Sequence, residues 1–208
     1  MDDLDRADEQ LRRDLDRGFD DAARRAGPWL VCGPGCSECC VGPFPITRLD
    51  AHRLRRGLLE LRRVQPERAR RIDRRIRRSV EALTDGYPGD PAAGTLSADV
   101  AVLDRFFERH GSLPCPVLDP ESGRCELYDS RPVSCRTYGP PLRFAGEDSP
   151  PCPLCFEGAP AEVVERCRFE PDALGEEDRI LSEMGVVSGD EWETLIPFAL
   201  RREPGGAE

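Results

Sequence analysis

Hydrophobic and polar residues follow a helical period near the start of the chain. Between residues 3 and 26, apolar residues recur at steps of three or four within a highly charged segment. The apolar positions are Leu4, Ala7, Leu11, Leu15, Phe19 and Ala22. This spacing predicts an amphipathic helix, and Gly27 with Pro28 predicts its end.

A second periodic segment predicts a helical hairpin. Thr47 is a candidate N-cap, and Asp50 three residues later resembles the acidic partner of a capping box. The first helix of the hairpin is expected to end near Val64. Pro66 suits the first turn of the next helix, whose apolar stripe continues to Leu83.

The remaining chain predicts shorter elements. Further helices are expected at residues 97–110, with Ser97 as the N-cap, and at 160–168, 172–184 and 190–202. Pro197 is expected to kink or shorten the last helix. From residue 111 to 153 the chain is rich in Gly, Pro and Cys, and short strands are expected only near Val117 and at 126–128. The predicted fold class is mainly α with few short strands: a small helical domain around an irregular cysteine-rich core.

Three consecutive regions are predicted from this pattern. Residues 1–28 form an N-terminal amphipathic helix, residues 29–156 a cysteine-cluster domain, and residues 157–208 a C-terminal helical extension. Residues 47–110 are expected to form a helical insert within the middle region, between two groups of cysteines.

Composition narrows the function classes. The 208 residues carry 40 acidic and 30 basic side chains, a net charge of −10, and every basic residue is Arg. Without Lys, the chain has no Schiff-base lysine and no P-loop lysine. The chain contains no run of 18 apolar residues, so no membrane span is predicted. The first residues lack the basic and apolar regions of a secretory signal. We therefore expect a cytoplasmic protein that does not cross a membrane.

Ten cysteines are the main chemical feature of the sequence. Four of them lie within nine residues, at Cys32, Cys36, Cys39 and Cys40, in a loop rich in Gly and Pro. In a cytoplasmic chain, clustered thiols bind metal or do redox chemistry more often than they form disulfides. Metal–thiolate bonds also offset the entropy of ordering such loops, since structural zinc contributes about 10–16 kcal/mol. The clustering therefore predicts metal binding by the cysteine-cluster domain.

Two stretches carry a more specific pattern. The first is the run Cys32, Cys36, Cys39 and Cys40. The second is the order Cys115-Pro116, Gly123-Arg124-Cys125-Glu126-Leu127-Tyr128 and Arg131-Pro132-Val133-Ser134-Cys135-Arg136. Together they resemble the YkgJ-type cysteine-cluster family, which carries a CxxCxxCC signature and is described as zinc- or iron-chelating. One departure from the family pattern is that three residues, rather than two, separate Cys32 from Cys36.

The resemblance implies a metal or iron–sulfur site built from both cysteine groups. To the seven cysteines of the family pattern, the sequence adds the C-x(2)-C pair Cys152 and Cys155. The candidate ligands are then Cys32, Cys36, Cys39, Cys40, Cys115, Cys125, Cys135, Cys152 and Cys155. Cys167 is left outside this set because it lies in a helical pattern beyond the family resemblance.

The spacing leaves zinc and an iron–sulfur cluster open. Two C-x(2)-C pairs, Cys36 with Cys39 and Cys152 with Cys155, could make a four-thiolate zinc site. Alternatively, Cys32, Cys36 and Cys39 with one distant cysteine could hold a cluster such as [4Fe–4S]. Both metals therefore remain candidate cofactors.

Arginines supply the candidate groups around the metal. Arg131 and Arg136 flank Cys135, and their guanidinium groups could offset the charge of thiolates. Salt bridges with Asp129 and Glu126 are the alternative role for the two arginines.

Between residues 48 and 78, 13 arginines against four carboxylates give a net charge of +9. We expect these arginines to solvate the hairpin and pair with acidic neighbours, since the acidic total opposes nucleic-acid binding.

Two other functions remain open from the sequence. One is an enzyme that uses the metal centre for oxidoreductase or group-transfer chemistry, such as methyl transfer. It would need a substrate or S-adenosylmethionine pocket, and no catalytic residue is identified. The other is a disulfide-bonded interaction module, which an oxidising compartment would favour. Any protein partner is unknown at this stage.

Overall fold

The structure is a computed structural model that describes residues 3–33, 35–144, 146–172, 174–185 and 193–201. Its helices are α1 Asp3–Ala26, α2 Arg48–Val64, α3 Pro66–Thr84, α4 Val100–Arg109, α5 Val133–Thr137, α6 Ala161–Arg166, α7 Glu176–Glu183 and α8 Ile196–Leu200. Its strands are β1 Pro45–Thr47, β2 Gly89–Asp90, β3 Thr95–Leu96, β4 Leu142–Phe144, β5 Glu147–Ser149 and β6 Glu193–Leu195. The mainly helical fold class is confirmed, with strands only in two-stranded sheets among the described residues.

The chain divides into two compact units, each made of two separate segments. The first unit combines Met1–Pro34 with Val133–Gly185, and the second combines Gly35–Pro132 with Val186–Glu208. The predicted regions 1–28, 29–156 and 157–208 are consecutive segments, and that division stays a prediction. None of the helices in the described residues combines the length and apolarity that a bilayer crossing requires.

The first unit is organised by α1, which has the predicted bounds and turns into a 3₁₀ helix at Gly27–Trp29. Its apolar stripe buries Leu11, Leu15 and Ala22, and the helix packs against α5, α6 and α7. Strands β4 and β5 form an antiparallel hairpin. Phe169 pairs with β4 through an isolated bridge to Leu142.

The second unit is organised by the hairpin of α2 and α3, whose core is built from Leu54, Leu58, Ile72 and Ile76. Both helices pack against α8. At the start of α2, the Thr47 side chain accepts a hydrogen bond from the backbone N–H of Asp50 at 3.2 Å. The predicted capping arrangement is therefore present, and it fixes the helix start directly after β1.

Two predicted helix starts lie too early in the chain, and in each case an Asp carboxylate before the helix satisfies N–H groups of the first turn. The helix predicted from Ser97 begins after Asp99, whose carboxylate accepts a hydrogen bond from the N–H of Val102 at 3.2 Å. The helix predicted from Asp172 begins only at Glu176. The Asp172 side chain accepts hydrogen bonds from the N–H groups of Glu176 and Glu177 at 2.7 and 2.8 Å, so it satisfies the first turn from outside the helix.

The last predicted helix, 190–202, is also wrong in part. Residues 190–192 and 202 lie outside the described residues, whereas Glu193–Leu195 forms β6 and pairs antiparallel with β1. Helix α8 starts only after this strand, and Pro197 lies in its first turn, where a missing N–H costs nothing. A distant strand partner thus overrides the local helical pattern.

The strands and the helix of the cysteine-rich centre lie at other positions than the pattern predicts, with β4 and β5 as its strands. Instead of strands near Val117 and at 126–128, Leu118 and Cys125 form an isolated antiparallel bridge, and Tyr128–Ser130 is a 3₁₀ helix. Helix α5 was not predicted, because a five-residue helix has too few positions for a periodic pattern.

Arginines of α3 hold the loop that carries Cys125. The Glu126 side chain is 3 % exposed and forms ion pairs with Arg68, at 2.7 Å, and with Arg75. Arg75 also donates from Nε to the backbone carbonyl of Pro116 at 2.8 Å. Other arginines of the hairpin pair with the neighbours expected from the sequence: Arg53 with Asp50, Arg62 with Asp73, Arg63 with Glu60 and Arg70 with Glu67. Arg75 therefore ties the segments around Cys115 and Cys125 to the helical hairpin.

Replacement of Gly18 tests the packing of α1. A Cβ atom at Gly18 would lie 2.2 Å from a ring carbon of Phe169. We expect Gly18→Ala to lower the free energy of unfolding by about 1–3 kcal/mol through overpacking, although Ala favours a helix by about 1 kcal/mol. Urea unfolding measures the change. Asp20→Ala, at an exposed position of the same helix, is the control. An unchanged or increased stability of Gly18→Ala would contradict the close packing.

Replacement of Arg75 tests its tie to the cysteine loops. Arg75→Gln leaves the buried Glu126 with Arg68 alone, and we expect a loss of about 1–3 kcal/mol in the free energy of unfolding. Arg75→Lys keeps the positive charge but lacks the planar guanidinium, so its free energy of unfolding should lie between those of the wild type and Arg75→Gln. The matched control is Arg74→Gln, an exposed neighbour on α3. Equal effects of the two Gln variants in denaturant unfolding would exclude a specific role for Arg75.

Candidate metal centres

Cys39 and Cys40 lie in a 3₁₀ turn that is tied to the segment before Cys115. The turn spans Glu38–Cys40. The N–H of Cys115 donates to the carbonyl of Cys40 at 2.8 Å, and the N–H of Gly42 donates to the carbonyl of Leu113 at 2.8 Å. Gly42 has a left-handed φ of 86°, so a side chain there would be strained. These contacts bring two cysteine-bearing segments side by side.

A tight loop then returns the chain from Cys115 to Cys125. The N–H of Glu126 donates to the carbonyl of Val117 at 2.8 Å, and the backbone N–H of Asp119 donates to the carbonyl of Arg124 at 2.9 Å. Gly123 turns the loop with a φ of 66°, which accounts for the Gly in the Gly-x-Cys pattern. Cys115 and Cys125 both pack against the core of the second unit.

Four thiols of the second unit form one electrostatic group, which we call the second-unit thiols: Cys39, Cys40, Cys115 and Cys125. A hydrogen bond with the Cys40 thiol, together with burial, raises the pKa of Cys39 well above its ordinary value. Burial raises the pKa of Cys115 to about 12, and the neighbouring Cys125 and Cys39 add to this rise. Burial likewise raises the pKa of Cys125. Without a cation, Cys39, Cys115 and Cys125 are neutral thiols at neutral pH.

Arg131 is the positive side chain within this group. Its charge acts against the pKa rise of both Cys39 and Cys125. The guanidinium carbon lies 3.6 Å from the centre of the Tyr128 ring, a cation–π arrangement. Arg131 is thus placed where it can offset thiolate charge.

Arg136 has a different environment from Arg131. It lies on α5 in the first unit, with a side chain that is 4 % exposed. Its guanidinium donates to the Asp16 carboxylate of α1 at 2.8 and 3.0 Å. This ion pair joins two helices of the first unit, and it differs from the partners Asp129 and Glu126 that the sequence suggested.

Four further thiols lie together in the first unit, and we call them the first-unit thiols: Cys32, Cys152, Cys155 and Cys167. Cys152, Cys155 and Cys167 are buried in one apolar cluster, with Cys32 packed against it. The sulfur atoms of Cys32 and Cys155 are 3.8 Å apart. The structure therefore adds Cys167 to the predicted candidates.

The two remaining candidates, Cys36 and Cys135, lie in different units. Cys36 is exposed in the second unit, and Cys135 is half-buried on α5 in the first. The run from Cys32 to Cys40 is consequently divided between the units, with Cys32 in the first and the other three cysteines in the second.

The donor chemistry of both groups fits zinc or iron, although the side chains are not arranged around a common point. Within the described ranges, no three Cys, His, Asp or Glu side chains have the geometry to hold a metal ion. Four thiols in each unit nevertheless match the number and the soft character of ligands that zinc and iron–sulfur clusters prefer. Metal binding would draw the sulfur atoms of a group together.

Comparison with known proteins gives a family but no individual relative. Searches of curated proteins and of solved structures return no match for the chain. Residues 31–153 match the model of the CxxCxxCC family, described as "Putative zinc- or iron-chelating domain". The match covers more than half of the chain and ends before Cys155 and Cys167. The chain therefore belongs to the CxxCxxCC family.

Proposed function

We propose that this protein binds zinc or iron, the latter as an iron–sulfur cluster, through the second-unit thiols. The observation that carries the proposal is the convergence of Cys39, Cys40, Cys115 and Cys125 from three chain segments joined by backbone hydrogen bonds. All four lie within the residues matched by the family. Cys36 and Cys135 remain candidate ligands from the sequence pattern.

Electrostatics supports a bound cation at this place. Burial penalises charge and raises the pKa of Cys115 and Cys125, and neighbouring thiols add to the rise because two thiolates would repel. A metal ion reverses both effects, since a coordinating thiol is deprotonated outright. Four thiolates on Zn²⁺ leave a net charge of −2, which the nearby Arg131 guanidinium partly offsets.

The contact between Cys39 and Cys40 favours a single ion over a cluster. The Cys40 thiol lies near enough to raise the pKa of Cys39, and two thiolates on one tetrahedral zinc ion, with Zn–S bonds of about 2.3 Å, are likewise close neighbours. In an iron–sulfur cluster, by contrast, the thiolates bind different iron atoms and lie further apart. Zinc is thus the first candidate, and iron is distinguished from it by metal analysis.

An enzymatic use of this centre has less support. A cavity beside Cys115, lined by Phe44, Leu83, Leu113 and Ile196 among others, has a volume of about 20 Å³. Such a volume suits about one water molecule. It is far too small for S-adenosylmethionine, so this cavity does not support methyl transfer at Cys115.

Replacement of Cys125 tests the proposed ligands. We expect Cys125→Ser to lose most of the metal bound by the second unit, because one of four thiolates is replaced by a much harder and less acidic ligand. Anaerobic purification, metal analysis for zinc and iron, and a visible spectrum measure the loss. Zinc gives a colourless protein, whereas an iron–sulfur cluster gives a brown one.

The control for this variant is Ser122→Ala, at the exposed tip of the same loop. It removes a hydroxyl but no thiol, so it should keep the wild-type metal content. An unchanged content in Cys125→Ser would exclude Cys125 as a ligand. Wild-type protein without metal, whose thiols react with alkylating agents only after reduction, would instead support the disulfide-bonded module.

Proton release provides a second test. The pKa values of Cys39, Cys115 and Cys125 are raised, so these thiols carry their protons at pH 7. Zinc must displace about one proton per thiolate, and the apparent affinity should rise with pH. Calorimetric titration of metal-free protein in buffers of different ionisation enthalpy counts the protons. We expect about four per zinc bound at the second-unit thiols. A release of fewer than two would contradict a four-thiolate centre.

A further inference from the structure

The first-unit thiols share one apolar cluster that the proposed centre does not use, three of them buried within it and Cys32 packed against it. Cys167 is 0 % exposed, Cys152 is 3 % and Cys155 is 4 % exposed. All three lie in the cluster that also contains Ala26 and Phe156, and Cys32 packs against it. Chance packing of single cysteines does not gather four thiols from three separate chain segments into one place.

Cys152 and Cys155 form a tight C-x(2)-C turn. The N–H of Cys155 donates to the carbonyl of Cys152 at 2.8 Å, and the N–H of Phe156 donates to the carbonyl of Trp29 at 2.7 Å. Phe156 has a left-handed φ of 61°, which is strained for a residue other than Gly and persists only where the surroundings fix it. The turn is therefore held in a defined conformation.

Cys32 reaches the same turn through a close approach at Gly139. A Cβ atom at Gly139 would lie 2.9 Å from the Cys32 sulfur, so Gly at this position leaves room for the thiol. The carbonyl of Gly139 also accepts a hydrogen bond from the N–H of Cys152 at 3.0 Å. Gly139 thus connects Cys32 with the C-x(2)-C turn.

The sulfur atoms of Cys32 and Cys155 already have the separation of two ligands on one zinc ion. They are 3.8 Å apart, and the edge of a tetrahedron with Zn–S bonds of about 2.3 Å is about 3.8 Å. Cys167 supplies the fourth thiol from the end of α6, where its N–H is bonded to the carbonyls of Val163 and Val164 at 3.1 Å. A closed set of four thiolates is the arrangement of structural zinc sites.

We propose that Cys32, Cys152, Cys155 and Cys167 hold one Zn²⁺ in a structural site of the first unit, separate from the second-unit thiols. Binding releases four thiol protons to solvent and involves no change in oxidation state. It would draw the sulfur atoms of Cys152 and Cys167 toward the Cys32–Cys155 pair. Since the two sets of ligands share no residue, this site does not depend on the proposed function of the second unit.

Zinc content of two matched variants tests the proposal. In Cys167→Ser we expect one zinc per chain less than in the wild type, while Cys125→Ser keeps that zinc and changes only the metal of the second unit. Val164→Ala, which removes apolar volume beside Cys167 but no thiol, should keep the wild-type content. Wild-type zinc content in Cys167→Ser would overturn the site, and so would a single metal per wild-type chain that both Cys variants lose.

If Cys167→Ser does not fold, a cobalt titration tests the first-unit site instead. The full chain with Cys39→Ser and Cys125→Ser lacks the proposed centre of the second unit. After metal removal, it should bind one Co²⁺ with the strong thiolate charge-transfer absorption of a tetrahedral four-sulfur site. Absence of this absorption would overturn the proposal. If instead the proposed function fails, Cys125→Ser will retain all wild-type metal, and the cobalt spectrum of the first unit will be unaffected.

Discussion

The hydrogen bond from the N–H of Cys115 to the carbonyl of Cys40 is the contact on which the second unit's cysteine arrangement depends. It joins two segments that the helices α2, α3 and α4 separate in sequence, so its formation closes a long loop at a cost in chain entropy. Burial of apolar surface offsets this entropy cost, because Cys115 and Cys125 pack against the apolar core that the insert contributes. Arg75 adds a hydrogen bond to the carbonyl of Pro116 and an ion pair with Glu126, the residues that directly follow these two cysteines. The helical hairpin is therefore the scaffold of the cysteine loops.

Burial disfavours the charged thiolate form of Cys115 and Cys125, whereas metal binding requires that form. Burial that keeps Cys115 and Cys125 protonated would make them inert packing residues. Neighbouring buried thiols are a costly place for negative charge, yet such groups become favourable ligands when a cation compensates them. Arg131 is suited to the same task from the side, since its planar guanidinium stacks on Tyr128 and cannot lose its proton.

Local patterns predicted the long helices, and distant contacts decided the elements that the patterns missed. The bounds of α1 and α2 follow from apolar periodicity and from a cap at Thr47, all encoded within a few residues. By contrast, β6 is a strand because β1 pairs with it, although its own sequence favours a helix. The surroundings of Cys167 likewise depend on distant contacts. Its helix ends at Arg166, and only the tertiary fold places its thiol beside Cys152 and Cys155.

Density of cysteines along the chain does not mean that they share one site. The run from Cys32 to Cys40 crosses the boundary between the two compact units, so its first thiol packs with the C-x(2)-C turn and its last two with Cys115 and Cys125. The extra residue between Cys32 and Cys36, which departs from the family signature, lies at this boundary. A strict CxxC spacing would favour two thiols on one ion. The longer spacing relaxes that constraint, and it is consistent with Cys32 serving one unit while Cys39 and Cys40 serve the other.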